Sequence, residues 1–228
     1  MKPLVFISCP IDTYSGYGAR SRDIVLALIK SEKYDVKILP QRWGNTPFGF
    51  LRQDNSDHKL MIDCIWAQPQ LPKQPDCWIQ ITVPNEFQPV GKFNIGITAG
   101  IETTHCALDW IHGCNRMDLV IATSEHSKAG ILGTVYTEKN RETQQVIAEH
   151  KVTTPVEVLF EGIDTNIYKF LDKPNKEIGA LNTIPEEFCY LFVGHWLQGD
   201  LGEDRKNVGY LIKAFLEVFK NKQKKPAL

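Results

Sequence analysis

Residues 94–132 read NIGITAGIETTHCALDWIHGCNRMDLVIATSEHSKAGIL, and this stretch decides the fold. Two short apolar runs, residues 94–98 and 118–123, bracket a segment with helical spacing. β-branched and long apolar side chains dominate both runs, and charges are few. That is the pattern of strands in a parallel sheet, whose two faces are both covered. Between the runs, Leu108, Ile111 and, one turn on, Asn115 follow a helical period, with Trp110 alongside. Ser124 comes directly after the second run and is placed to cap a helix over residues 125–132. Glu102, Thr103, Thr104 and His105 cluster just past the first run. In an open α/β sheet that carboxyl end of a strand is where ligands bind, so a site is expected here.

On the N-terminal side the same alternation continues. Residues 4–8 form a strand, a loop with Gly16 and Gly18 comes next, and a helix over residues 19–30 buries Ile24, Val25 and Leu28. A second strand spans residues 34–39 and closes at Pro40. A Gly-x-Gly loop between strand and helix invites a dinucleotide reading. Three features weaken it: the third glycine of that fingerprint is Ser21, the loop over residues 9–15 is long, and no acidic residue ends the second strand. The favoured reading is a loop whose backbone closely approaches a ligand. The helix N-terminus behind it, with Arg20 and Arg22 near, favours an anionic group by roughly 0.3–1 kcal/mol.

Residues 41–59 read as a surface loop, in which Trp43, Phe48 and Phe50 either pack the loop down or line a groove. Residues 61–66 and 77–83 are expected strands, and residues 85–92 a loop. Past residue 132, residues 134–139 and 145–152 read as an inserted, solvent-exposed β-hairpin. Residues 156–160 form another strand. The expected division is a first domain over residues 1–170, a polar linker over 171–187, and a second unit over 188–228. In that unit a strand (189–193), a glycine-containing loop and an amphipathic helix (208–220) with Asn207 as N-cap repeat the order of the first. A lone strand and helix cannot close a core, so the second unit is expected to be cut short.

Composition bounds the function. The 228 residues carry 26 basic and 27 acidic side chains, a net charge of -1, and 43% hydrophobic residues. That balance gives no electrostatic reason to expect nucleic acid as a partner. No apolar run approaches the roughly 20 residues needed to span a bilayer. The N-terminal apolar run is broken by Pro10 and Asp12 and reads as a core strand rather than a signal peptide. The six cysteines are scattered with no CxxC pair, and Cys9 and Cys189 fall in expected strands, pointing to a reducing, cytoplasmic setting. His105, Cys106, His112 and Cys114 match no standard zinc spacing, so no metal is expected. No nucleophile elbow or P-loop occurs.

The Arg205-Lys206 pair stands at a helix start after a strand and a glycine loop, where fixed cations and free backbone N–H groups make a phosphate site. Here a family resemblance enters. YLFVGHWLQGDLGEDRKNVGYLIKAFLEVF (residues 190–219) resembles the opening of the donor domain in glycosyltransferases of family four, with the GT-B fold. VEVLFEGIDTNIYKF (156–170), MDLVIATSEHSK (117–128) and SGYGARSRDIVLAL (15–28) resemble that family's segments in the same order, and ITAGIETT (97–104) resembles a subgroup with Glu after the central strand. The resemblance implies a Rossmann-like N-terminal domain and the start of a second, truncated Rossmann-like domain. It implies transfer of a sugar from a nucleotide-sugar donor to a sugar, lipid or protein acceptor, without a metal or other cofactor. By the same resemblance Lys206 and Arg205 neutralise the diphosphate, with His195 standing where the family has Arg. Gly16 and Gly18 lie near the diphosphate, and Glu102 or His105 stands near the transferred sugar. The chemistry suits these residue types, because departure of a nucleoside diphosphate builds charge that cations and helix N-termini stabilise. Two other readings remain open: a catalytically incomplete binding or assembly module, and a homo-oligomer formed through the second unit's exposed apolar face.

Overall fold

The computed structural model describes residues 2–172, 179–194, 196, 200–204 and 206–228. The chain divides into two compact units, Met1–Ile163 and Asp164–Leu228. The first unit is α/β. Six of its strands share one sheet: β1 Leu4–Cys9, β2 Asp35–Pro40, β3 Cys77–Ile81, β4 Phe93–Ile97, β5 Leu119–Ala122 and β8 Val156–Val158. They lie in the order β2-β1-β3-β4-β5-β8. All five pairings are parallel. An antiparallel hairpin, β6 (Tyr136–Lys139) with β7 (Val146–His150), forms its own two-stranded sheet.

Every residue of β1 is buried. Successive side chains of a strand point to opposite faces, so such a strand needs cover on both. Two separate apolar clusters supply it. Leu4 and Phe6 join Trp78, Phe87, Ile111, Cys114, Val120 and Ile131. Val5, Ile7 and Cys9 join Val25, Val36, Ile38, Met61 and Ile81. The second cluster takes side chains from α1 (Gly16–Lys30) and α2 (Ser56–Ile62), and the first from α3 (Leu108–Cys114) and α4 (Glu125–Gly133). The sheet is thus wound on both sides, compatible with a Rossmann-like fold.

Helix α1 starts at Gly16, three residues before the sequence-based start at residue 19. Ser15 is extended and its hydroxyl accepts from the Gly18 N–H, so the cap fixes the first turn. Residues 61–66, expected as a strand, are instead the end of α2 and the turn beyond it. Asn55 caps α2 by accepting from the N–H groups of Asp57 and His58. The first turn, Ser56-Asp57-His58-Lys59, has no apolar period to announce a helix. The strand expectation survives as a single parallel bridge, Ile38 to Ile65.

Polar groups tie together the starts of the inner strands. The Asp118 carboxylate accepts from the Asn94 backbone N–H at 2.7 Å and from its side-chain amide at 3.0 Å. The Asp76 carboxylate accepts from the Leu4 N–H at 2.9 Å and from the Lys92 ammonium at 2.7 Å. The Lys92 bond, then the Leu4 bond, hold its pKa below the ordinary carboxylate value. A depressed folded-state pKa contributes stability above the unfolded pKa, near 3.9, and loses it as pH falls through the lower folded value. Asp76→Asn is therefore expected to be less stable than wild type at pH 7, and the gap to close below about pH 4. Urea midpoints at neutral and acid pH check this; a gap independent of pH contradicts it.

The second unit contains α5 (Val208–Phe219), a short 3-10 turn (Gly179–Thr183) and a parallel bridge between Cys189 and Ala227. The strand expected over 189–193 is reduced to that bridge, and Cys189 is exposed. Tyr190 packs edge-on against Phe215 at 6.2 Å and meets Phe219 at 6.0 Å, which covers one stripe of α5. Leu191 and Val193 remain 87% and 84% exposed. Of the expected linker, residues 173–178 lie outside the described residues.

Candidate functional site

β1 connects to β2 on one side of the sheet, and the chain then crosses to β3 on the other. At such a switch point the loops leave in opposite directions and open a crevice at the carboxyl ends of the strands. The loop after β1 leaves from that edge of the sheet, and it is tied down at many points. Thr13 donates from both N–H and hydroxyl to the Pro10 carbonyl. Arg22, 8% exposed as a residue, donates from its guanidinium to the carbonyls of Ile11 and Thr13, both at 2.9 Å. It also lies 3.5 Å from the centre of the Phe50 ring. Burial lowers the pKa of Arg22.

A second loop, between β2 and α2, is bound to the first. The Asp12 carboxylate accepts from Gly49 N–H at 3.1 Å and Leu51 N–H at 2.8 Å. The Phe50 N–H donates to the Asp12 carbonyl, the Tyr14 hydroxyl to the Gly49 carbonyl, and Thr13 pairs with Phe48 as an antiparallel bridge. Within this loop Trp43 stacks on Tyr17 with centroids 3.9 Å apart and planes 25° apart. The Tyr17 hydroxyl is 3.0 Å from the Thr98 hydroxyl and accepts from the Ala99 N–H at 3.0 Å. Burial, with smaller contributions from Glu86 and Glu161, pushes the Tyr17 pKa up. The first helix, the second loop and the end of β4 thus converge on one phenol. Beside it, Arg42, Trp43, Asn45, Thr46, Val83 and Glu86 line a shallow, solvent-open hollow of about 390 Å³.

The two glycines of the first loop differ. A Cβ on Gly18 would lie 2.5 Å from the Thr13 carbonyl oxygen, so close internal packing requires this glycine. A Cβ on Gly16 would meet nothing within 4 Å, so its backbone faces open space at the head of α1. The basic residues near that helix are already engaged. Arg22 holds the loop carbonyls, and Arg20 donates to the Leu159 carbonyl at 2.6 Å. Both keep their positive charge, but the N–H groups in these bonds are turned to main-chain carbonyls and not to an incoming anion.

Glu102 and His105 are both exposed in the loop after β4. His105 Nδ1 is 3.1 Å from the Thr104 hydroxyl, and its carbonyl accepts from the Thr103 hydroxyl. This loop leans on α4: a Cβ on Gly100, whose φ is +85°, would lie 2.3 Å from the Ser127 Cβ. The Ser127 hydroxyl donates to the Ile101 carbonyl at 3.3 Å. In this region Thr98 and Ala99, ahead of Glu102, hydrogen-bond to Tyr17 of α1.

Lys206 belongs to the second unit, and Arg205 and His195 lie outside the described residues. Asn207 is left-handed, φ 53°, and makes no side-chain cap. The expected cap is supplied by Asp204 instead, whose carboxylate accepts from the Val208 N–H at 2.9 Å and the Lys206 N–H at 3.2 Å. Among the described residues no group of three or more His, Cys, Asp or Glu suits a metal ion, and no helix is long and apolar enough to cross a membrane.

Sequence reasoning did not single out Tyr17, Asp12, Arg42 or Glu86. Tyr17 stood between two glycines that drew attention for their own sake. The other three become a group only when the strand order brings loops far apart in sequence to one edge. Set against family models, curated proteins and solved structures, the chain matches none of them.

Proposed function

We propose that the protein is a glycosyltransferase, or the acceptor side of one, moving a sugar from a nucleotide-sugar donor to a sugar, lipid or protein acceptor. The observation that carries this reading is the open backbone of Gly16 at the head of α1, beside the switch point of a parallel sheet. The first N–H groups of a helix lack intrahelical partners and carry the positive end of its dipole. The Ser15 hydroxyl already takes the Gly18 N–H. A departing diphosphate would therefore use the N–H groups of Gly16 and Tyr17, and the tethered loop spares it the cost of ordering them. The remaining machinery of the reading, Arg205 and Lys206 on the diphosphate and Glu102 or His105 by the sugar, rests on the motif resemblance. No resident cofactor is invoked.

Isothermal calorimetry with UDP and GDP, followed by turnover with a panel of nucleotide sugars, tests it. Saturable nucleotide binding is expected. Gly16→Val leaves the fold intact, since the site is open, yet weakens binding roughly tenfold or more, about 1.4 kcal/mol. Absence of both binding and turnover overturns the proposal.

One observation favours a second reading, a catalytically incomplete binding or assembly module. The Asp204 carboxylate holds two N–H groups at the head of α5, the place the resemblance reserves for a diphosphate. Apolar side chains such as Leu216, 62% exposed, stand on the same helix. A homo-oligomer formed through the second unit is the partner this reading adds. A monomer mass by light scattering at high concentration speaks against it.

A further inference from the structure

We propose that the cavity between the Trp43 loop and the turn after β3 is a subsite for an uncharged sugar ring. The assignment rests on the transferase reading, in which this ring is the acceptor. The hollow is shallow and open to solvent, about 390 Å³, room for one ring laid against its wall. Its aromatic wall is fixed in advance. Trp43 stacks one face on Tyr17, which Thr98 and Ala99 hold in turn, so the half-buried indole spends little entropy on binding. A rigid flat apolar surface matches the C–H face of a pyranose.

The polar lining sets the charge of the ligand. Arg42 has no ion-pair partner among the described residues. Glu86 takes the Thr82 hydroxyl on one carboxylate oxygen, and its backbone carbonyl accepts from the Gln80 amide, which fixes the turn. One basic and one acidic residue line the same hollow. A charged ligand gains from one and loses to the other. A hydroxyl both donates and accepts, so a polyol satisfies Arg42 and Glu86 together, with Asn45 and Thr46 able to serve either role.

The test monitors the Trp43 indole N–H resonance, assigned by its loss in Trp43→Phe, while methyl glucoside, methyl galactoside, methyl mannoside, N-acetylglucosamine and glucuronate are titrated in turn. Concentrations reach roughly 50 mM, ample for a site of about 1 mM affinity. At least one neutral ring is expected to shift the resonance saturably, with glucuronate several-fold weaker. Arg42→Gln is expected to weaken the neutral ring several-fold, with the amide spectrum otherwise unchanged. No shift with any neutral ring, or preference for glucuronate, overturns the subsite. The two proposals fail separately. A sugar shift without nucleotide binding or donor turnover overturns the transferase reading alone, and turnover unaltered in Trp43→Ala overturns the subsite alone.

Discussion

Gly113→Ala is expected to destabilise the first unit by about 3 kcal/mol or more, at the upper end of what overpacking costs. The added Cβ would stand 1.7 Å from the Pro84 carbonyl oxygen and 2.4 Å from its carbon. Those are backbone atoms and cannot swing aside like a side-chain tip. The 3-10 turn Pro84–Glu86 is itself pinned. Gln80 donates to the Glu86 carbonyl and accepts from the Gln88 N–H at 2.8 Å, and Arg116 donates to the carbonyls of Asn85 and Phe87. Below it the Phe87 ring lies on Gly96, where a Cβ would come within 2.3 Å. Helix propensity alone favours alanine over glycine by about 1 kcal/mol, so the expected sign reverses the local preference. Gly133→Ala, in the last position of α4 with nothing within 4 Å, supplies the contrast and should be neutral or slightly stabilising. Urea unfolding of both variants decides the matter; equal midpoints contradict the close approach of α3 to this turn.

That approach shows where sequence stops being informative. The periodicity of residues 94–132 carries the strand–helix–strand–helix order, because burial on both faces of a parallel strand leaves a continuous apolar run. It also carries the Ser124 cap, which accepts from the Ser127 N–H as its spacing requires. It does not carry Gly113 as a contact point, since a glycine in a helical pattern reads the same whether it packs on backbone or on nothing. Nor does it carry α2, whose opening turn is polar and whose start depends on a single Asn55 side chain. The second unit shows the reverse error. Residues 189–193 have the composition of a buried strand, yet only Cys189 pairs, because a strand's composition does not supply its neighbour.

For the site, the glycines were legible and their separate duties were not. Gly18 is explained by Thr13 and Gly16 by the space in front of it, a distinction that needs coordinates. Arg20 and Arg22 read as cations near a helix N-terminus, but a buried guanidinium takes what acceptors lie within reach, here the main-chain carbonyls of the neighbouring loops.

Arg22→Met is accordingly expected to loosen the candidate site more than the sheet beneath it. Methionine keeps an unbranched aliphatic stem of similar length and removes only the guanidinium. The carbonyls of Ile11 and Thr13 then lose a charged donor, and the Phe50 ring loses its cation. Hydrogen bonds to charged groups contribute roughly 1.5–3 kcal/mol, while relief of a buried charge offsets part of the loss. A net cost of about 2–3 kcal/mol is expected, by the same balance. The consequence extends along the chain. Thr13 is what Gly18 packs on, Asp12 holds Gly49 and Leu51, and the same loop carries Trp43. Amide exchange is therefore expected to speed up at residues 11–18 and 48–51 while β1 keeps most of its protection. The nucleotide binding proposed at Gly16 and the sugar subsite proposed at Trp43 should weaken together, because one guanidinium braces both loops. Unchanged exchange in those segments, with the global midpoint lowered all the same, would assign Arg22 to packing alone and detach it from the site.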